Sequence, residues 1–483
     1  MNILSALDNY TEIHPKKIAI FSEKYVFTYE EVNQISANIA QQIYLSIGTN
    51  NHVLIDLPHS ISTIISILAV LKSGNTYVPI EQSAIQSKKS SIIEQTHCAF
   101  VICSESDGYH GWNSLTLSDH SLHYFINHES CLEKVEFPEI PYILFTSGST
   151  GNPKGVKITR KNFQYILENM QRICPVEQSS IYCFSTPYTF DVSVTELFGW
   201  IVGNGSVAVF DVHDLNKFRN FITLIAKYHI SHFCASPSVL ATIFNMCSTS
   251  DFEVISNNIK YLMIAGERFD PKLAQIWHEQ GLKCHLLNLY GPTEATVYAT
   301  YHEVVLEDLN KKEIPIGIPL NNAKVEIWEK DDKGYGELII FGEGIANGYL
   351  NNEELTNKFF GELESGERYY KTGDIVYEFD NEIVFLCRKD NQIQIHGIRV
   401  EIGEIEYYLT NEQDIKKSVV IYRNNKLIAF IQPQKSQFDL NEFEKRMRDR
   451  LPLYLHPNEY VVLNEFPLTT SGKTDRKKLA HEY

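Results

Sequence analysis

A hydroxyl- and glycine-rich stretch that ends in a lysine, Leu144-Phe-Thr-Ser-Gly-Ser-Thr-Gly-Asn-Pro-Lys-Gly155, has the composition of a loop that holds phosphates. Gly148 and Gly151 let backbone N–H groups approach an anion, Thr146, Ser147, Ser149 and Thr150 can donate hydroxyls, and Lys154 supplies charge. The spacing departs from the Walker loop, whose lysine directly follows its glycine, because Asn152 and Pro153 intervene here. Standing alone, such a run is also what an ordinary surface loop looks like. Its meaning depends on what else the chain carries.

Four more clusters follow in order: Asn288-Leu-Tyr-Gly-Pro-Thr-Glu294, Tyr370-Lys-Thr-Gly-Asp374, the segment from Arg388 to Glu406, and Pro467-Leu-Thr-Thr-Ser-Gly-Lys473. Each has a plain reading: a tight turn with an N-terminal acid, a surface turn, a solvated lysine in a polar tail. Together, and preceded by Phe27-Thr-Tyr-Glu-Glu31 and Tyr77-Val-Pro-Ile80, they span nearly the whole chain. In this arrangement the chain resembles the adenylate-forming superfamily. Within it the likeness is greatest to the amino-acid adenylation domains of non-ribosomal peptide synthetases and to free-standing D-alanine:carrier protein ligases.

That resemblance implies a reaction. Joining a carboxylate to the α-phosphorus of ATP brings two anions together and spreads charge over a pentacoordinate phosphorus, which cations and oriented donors must stabilise. By the resemblance, Lys473 bridges the substrate carboxylate and the α-phosphate, Thr293 gives that phosphate a hydroxyl, and Glu294 is the oxygen ligand of Mg²⁺. The loop residues Thr146 to Gly151 and Lys154 hold phosphates. Asn288, Leu289, Tyr290 and Gly291 form one side of the adenine slot and Gly266 and Glu267 the other, with Asn288 on the adenine amino group. Asp374 accepts hydrogen bonds from the ribose hydroxyls, and Arg388 helps position them.

Phe190-Asp-Val-Ser-Val-Thr-Glu-Leu197 bears on the substrate. An aspartate near the start of an apolar helix is ordinarily a cap or a dipole partner. In relatives that activate amino acids the matching residue pairs with the α-ammonium group, so Asp191 implies an amino acid. Matching by motif puts Val192, Thr195, Ser238, Met263, Ala265, Leu289, Val297 and Tyr298 around the substrate side chain, Ser238 across a loop of different length. None is charged, and a charged substrate side chain would be buried unpaired; the expectation is a small-to-medium neutral side chain. The D-alanine ligases have Cys where Ala265 stands, Cys387 replaces a usual Gly before Arg388, and Gln394 stands where Lys is common. Gln394 bears on thioester transfer more than on adenylation, since the family uses Gly397 and its surroundings for that second step.

These residues need a scaffold. Strand-like and helix-like runs alternate through 142–145 and 161–172, 206–210 and 215–228, 261–264 and 271–280, which points to α/β layers with much parallel sheet. Beyond Asp390 short strands at 417–422 and 426–431 lie between helices at 401–409 and 441–450. The expected fold is a large multi-layer α/β domain over 1–389 and a small α+β domain over 390–483, turning about a hinge that the resemblance puts at Asp390. A chain of 483 residues is long for one core, in keeping with two domains.

Composition closes other routes. A formal charge of −17 argues against a nucleic-acid binder. The excess acid precedes residue 390, since from Asp390 to Tyr483 14 Lys and Arg balance 14 Asp and Glu. Lys445, Arg446, Arg448 and Arg450 on one helix offer either a basic face for an acidic partner or a solvated face. The N-terminus lacks a signal peptide's pattern, and the run from Ile61 to Leu71 falls short of the about 20 residues a bilayer needs. Nine cysteines without C-x-x-C pairing, with Cys183, Cys234 and Cys387 in apolar runs, read as reduced and mostly buried thiols. A cytoplasmic protein is expected. Lacking a Gly-Gly-x-Ser carrier site, it would transfer its aminoacyl group to the phosphopantetheine of a separate carrier protein. A carboxylic acid–coenzyme A ligase is the alternative, and an inactive binding homologue is disfavoured by the presence of Lys154, Glu294, Asp374 and Lys473.

Overall fold

The computed structural model describes residues 2–82, 84, 86–105, 109, 112–126, 132, 135–146, 152–210, 218–389, 392–395, 398–423, 426–434, 438–451, 455–467 and 476–482. Ser147, Gly148, Ser149, Thr150, Gly151, Asp390, Gly397 and Lys473 lie outside the described residues.

Short apolar runs become buried parallel strands because helices cover both of their faces. His285–Tyr290, Tyr261–Ala265, His232–Ala235, Ile181–Phe184, Ser206–Val209 and Ile18–Phe21 lie side by side in parallel. Antiparallel Thr300–Glu303, Ile318–Pro319 and Val26–Thr28 extend this to a nine-stranded sheet. Strand periodicity then divides the neighbours. Met263, Ala265, Leu287 and Leu289 face the larger core, and Leu262, Ile264 and Leu286 face a second one.

A six-stranded sheet runs Ser114–Thr116, Phe100–Cys103, His52–Asp56, Thr76–Pro79, Tyr142–Thr146 and Lys154–Ile158, and only the last pair is antiparallel. A five-stranded antiparallel sheet is built from Ala323–Trp328, Gly336–Gly342, Phe360–Glu362, Arg368–Phe379 and Glu382–Arg388. The Phe27-Thr-Tyr-Glu-Glu31 motif turns out to be structural: Thr28 and Glu31 cap each other reciprocally at the start of helix Tyr29–Ile47.

Beyond residue 390, Ile415–Arg423, Lys426–Pro433 and Glu459–Val462 form a three-stranded sheet, with helices Ile402–Thr410 and Leu440–Arg450. The helix and strand expectations for both parts are met to within a few residues. No hydrophobic cluster of the described residues joins side chains before 390 to side chains after it.

Two expectations need correction. Cys387 is exposed, because it lies near the end of a strand whose buried residues, Ile383 and Val384, sit near its start, whereas Cys98, Cys103, Cys174, Cys183, Cys234 and Cys284 are buried. The basic helix is not a free positive face. Arg446 meets Asp414 at 2.8 Å and Glu412 at 3.4 Å, Arg450 also pairs with Glu412, and Arg448 lies 3.7 Å from Glu444. No helix of the described residues is long and apolar enough to cross a membrane.

Candidate active site

Lys154 opens the second strand of a hairpin, with Thr146 as its register partner, so the phosphate-type loop joins strand to strand rather than strand to helix. From that position its ammonium lies 3.9 Å from Glu294 Oε1 and 5.5 Å from the ring centre of Tyr349. Glu294 is fully buried, and Tyr349 Oη donates to it at 2.7 Å.

Strand His285–Tyr290 delivers Glu294 through a turn that only particular residues permit. A Cβ at Gly291 would sit 2.6 Å from Tyr298 Cα, so glycine is required there. Thr296 and Val297 follow at φ 56° and 71°, unusual for two β-branched residues. Such backbone costs on the order of 1–3 kcal/mol per residue unless its surroundings impose it. Here Thr296 Oγ1 donates to Gly344 O at 2.6 Å and the Ala346 N–H donates to Glu294 O at 2.9 Å.

A magnesium ion keeps several waters and takes one or two carboxylates together with substrate phosphates. Glu294 fits such a partial ligand. The described residues contain no group of three or more metal-binding side chains, so the remaining oxygens would come from nucleotide and water.

Asp374 and Arg388 are cross-strand partners in the antiparallel hairpin. Arg388 Nη1 donates to Asp374 Oδ1 at 2.7 Å and to Thr372 O at 2.8 Å, and Tyr290 Oη donates to Asp374 Oδ2. Burial first, and then the Asp374 charge, push the Tyr290 phenol well above its ordinary range. Asn288, two residues earlier, is 3% exposed and gives its amide hydrogen to Pro315 O at 2.7 Å. Gly266 has φ +87°, and Glu267 beside it accepts from the N–H and hydroxyl of Ser238 at 3.0 and 2.9 Å. Ser238 is thereby tied to the turn at Gly266 and Glu267, which directly follows Ala265.

The Asp191 carboxylate is not a plain helix cap. Oδ1 accepts from the adjacent Val192 N–H at 2.8 Å, while Oδ2 accepts from Thr293 Oγ1 at 2.5 Å, 102 positions away. This bond links the segment before helix Ser193–Val202 to the turn that carries Glu294. Met263, Val297 and Tyr298 are at most 1% exposed, with Leu289 at 2% and Ala265 at 5%. Thr195 spends its hydroxyl on Val192 O at 2.8 Å, and Tyr298 Oη lies 3.7 Å from Cys234 Sγ.

Glu196 lies behind this wall. It accepts from Thr186 N–H and Oγ1, each at 2.9 Å, and from Ser185 N–H at 3.2 Å. Burial outweighs these bonds and pushes its carboxyl up to about 8.

The structure thus brings Lys154, Glu294 and Tyr349 together, Tyr290, Asp374 and Arg388 together, and Asp191 with Thr293. Sequence reasoning missed Tyr349, Thr372 and Cys234. Their only signals are a tyrosine after Gly348, the threonine inside Thr-Gly-Asp, and a thiol in an apolar strand.

Residues 7–350 match the AMP-binding enzyme family. The chain is 32% identical over 484 residues to part of a linear gramicidin synthase from Brevibacillus parabrevis, covering 97% of this chain but 9% of that protein. It is 32% identical to zwittermicin A synthase ZmaJ of Bacillus cereus, covering 96% and 92% of the two chains. To the D-alanine–D-alanyl carrier protein ligase of Bacillus licheniformis it is 29% identical, covering 100% and 99%. Its fold superimposes with TM-score 0.82 on a holo non-ribosomal peptide synthetase protein with adenylation and carrier domains, at 22% identity over 99% of this chain and 84% of that one. The same score holds for the o-succinylbenzoate coenzyme A synthetase of Bacillus subtilis, at 19% identity over 99% and 98%. On the family match and these relatives, the chain belongs to the AMP-binding enzymes, the adenylate-forming superfamily.

Proposed function

We propose that this enzyme activates a small neutral amino acid with ATP and Mg²⁺, releasing pyrophosphate, and passes the aminoacyl group to the phosphopantetheine thiol of a separate carrier protein. The observation that carries the amino-acid part is the Asp191 carboxylate, bonded to Thr293 Oγ1 at 2.5 Å, beside an otherwise neutral, largely apolar wall. A carboxylate in that setting is offset best by a cation, and an α-ammonium group is one that an amino acid always brings.

In this reading the substrate carboxylate attacks the α-phosphorus, and the bond to the bridging oxygen of pyrophosphate breaks. Lys154 and the loop 146–151 hold the phosphates, and Glu294 would hold a magnesium ion that neutralises charge on them. Lys473, and Thr293 once its hydroxyl turns from Asp191 to the nucleotide, stabilise charge at the α-phosphate. Asp374 holds the ribose in the position that Tyr290 and Arg388 impose on it, and Asn288, Tyr290, Gly266 and Glu267 bound the adenine. Met263, Ala265, Leu289, Val297 and Tyr298 limit the substrate side chain by leaving little space around it.

A two-domain division at about 390, with a hinge at Asp390, is part of the proposal. The separate hydrophobic clusters on either side support it. The D-alanyl carrier protein ligase, similar over its whole length, supports a carrier as acceptor. A cytoplasmic setting is supported by thiols that are all free among the described residues.

Pyrophosphate exchange across a panel of amino acids and their des-amino analogues tests the reading. Exchange with a small neutral amino acid and none with its des-amino partner is expected. Exchange with simple carboxylic acids, followed by transfer to free coenzyme A alone, would point to a coenzyme A ligase instead.

A further inference from the structure

Two separate pieces of chain carry the nucleotide half of the site: the strand with Asn288 and Tyr290, and the hairpin with Asp374 and Arg388. The seam between them is the segment 315–317. Pro315 O takes the Asn288 amide at 2.7 Å, Ile316 O takes Thr300 Oγ1 at 2.5 Å, and Ile383 exchanges main-chain bonds of 2.8 Å with Ile316 and 2.9 Å with Gly317. Gly317, at φ +84°, leaves no room for a Cβ, which would fall 2.0 Å from Tyr301 O.

Four ionisable side chains close around one end of this seam. His302, 6% exposed and the cross-strand partner of Asn288, meets Glu382 Oε1 with Nδ1 at 2.6 Å and Asp308 Oδ2 with Nε2 at 2.7 Å. Lys311 Nζ lies 2.8 Å from Asp308 Oδ1, a close ion pair, and 3.9 Å from Glu382 Oε2. The order around the ring is His302, Asp308, Lys311, Glu382, alternating base and acid. Asp380 adds a further negative charge near Lys311.

A neutral imidazole has one N–H and one lone pair, so it can donate to only one carboxylate. Both ring nitrogens of His302 face carboxylate oxygens, a geometry that the imidazolium satisfies at both ends. Without that proton, Lys311 alone would face two buried or half-buried carboxylates, and breaking one member of such a set leaves a charge uncompensated.

We propose that His302 is a positioning residue for the nucleotide: as an imidazolium it closes an ion ring with Asp308, Lys311 and Glu382 that clamps the hairpin bearing Asp374 and Arg388 onto the strand bearing Asn288 and Tyr290. The ring touches no substrate. It acts through Glu382, which begins the strand whose other end is Arg388, and through the main chain at Ile383. The proposal rests on the reading of Asp374, Asn288 and Tyr290 as the nucleotide site.

The test is His302→Gln in the full chain, assayed by pyrophosphate exchange, with isotope-labelled histidine in the parent protein for NMR. The expected result is an ATP KM raised about tenfold, the effect of losing one charged hydrogen bond at a distance from the ligand, with kcat and the amino-acid KM within about twofold of the parent. The double variant His302→Gln with Glu382→Gln should recover part of that loss, because the Glu382 carboxylate is then no longer left without the cation that His302 supplied. At neutral pH the His302 ring should show two N–H resonances coupled to its nitrogens, assigned by their loss in the variant. An unchanged ATP KM in a parent that exchanges, or equal damage to both KM values and kcat, would overturn the positioning role. A single ring N–H would overturn the ion ring even if His302→Gln does not fold. A parent protein that exchanges with no acid would overturn the nucleotide reading, and the positioning role with it.

Discussion

Around Glu294 and Asp374 the site is polar and already partnered, while the residues matched to a substrate pocket, Met263, Leu289, Val297 and Tyr298, are buried and uncharged. The first half holds buried carboxylates only because Tyr349, Lys154, Tyr290 and Arg388 compensate them. Its geometry is set before a ligand arrives, which is how a site gains electrostatic stabilisation without reorganising during the reaction. The second half has one carboxylate and, beyond it, shape. Under the proposed function, selectivity there would come from space and from one ionic contact, each open to change without rebuilding the other half.

The largest effect expected from disturbing this contrast is at Asp191. Asp191→Ala should cost on the order of 3–5 kcal/mol of preference for an amino acid over its des-amino analogue, because an ammonium group would be left buried and unpaired. The ratio of kcat/KM values for the pair reads it, and full retention of the preference would make Asp191 a structural residue.

On the polar side, Tyr290→Phe removes the hydroxyl that Asp374 accepts. Leaving a buried acceptor short of one donor costs about 1–3 kcal/mol. It should appear as a raised ATP KM with the amino-acid preference intact; a change in that preference would mean the two halves are not separable.

On the apolar side, Tyr298→Ala should admit larger aliphatic side chains, each extra methylene worth about 1–3 kcal/mol of discrimination. Exchange rates along a series of lengthening side chains measure this. A variant as restricted as the parent would show that another wall sets the limit.

A further effect is on stability rather than on activity. The Glu196 carboxyl is pushed up to about 8 in the folded protein from an ordinary value of 4.5. Between those values the folded state keeps a proton that the unfolded state has lost, so stability is fully present below pH 4.5 and falls as pH rises toward 8. The slope should be at most about 1.4 kcal/mol per pH unit, and denaturant titrations of Glu196→Gln should show a flatter profile. Equal slopes would mean that Glu196 is charged in the fold.

The same contrast decides what could be read from the sequence. The polar half was legible because its residues are contiguous: Asn288 to Glu294 and Tyr370 to Asp374 keep their chemistry within one short segment each. The apolar half draws on helix Ser193–Val202, two neighbouring strands and a left-handed turn, and its members look like any other core residue. Only resemblance to a family picks them out.

Buried parallel strands such as Tyr261–Ala265 are announced by unbroken apolar runs. The antiparallel sheet around Arg368–Phe379 is not, since it buries every second residue and exposes its aromatic and charged neighbours. Pairings across long separations, such as Thr293 with Asp191, Tyr349 with Glu294 or Arg450 with Glu412, have no trace in local spacing.

Binding of two non-hydrolysable analogues tests the central claim most directly: the small aminoacyl sulfamate of adenosine and its des-amino counterpart, compared by calorimetry on the parent and on Asp191→Ala. The account predicts that the parent binds the aminoacyl analogue at least about a hundredfold more tightly, the lower end of a 3–5 kcal/mol contact, and that Asp191→Ala binds the two alike. Equal affinities in the parent, or a preference that survives the substitution, would contradict it.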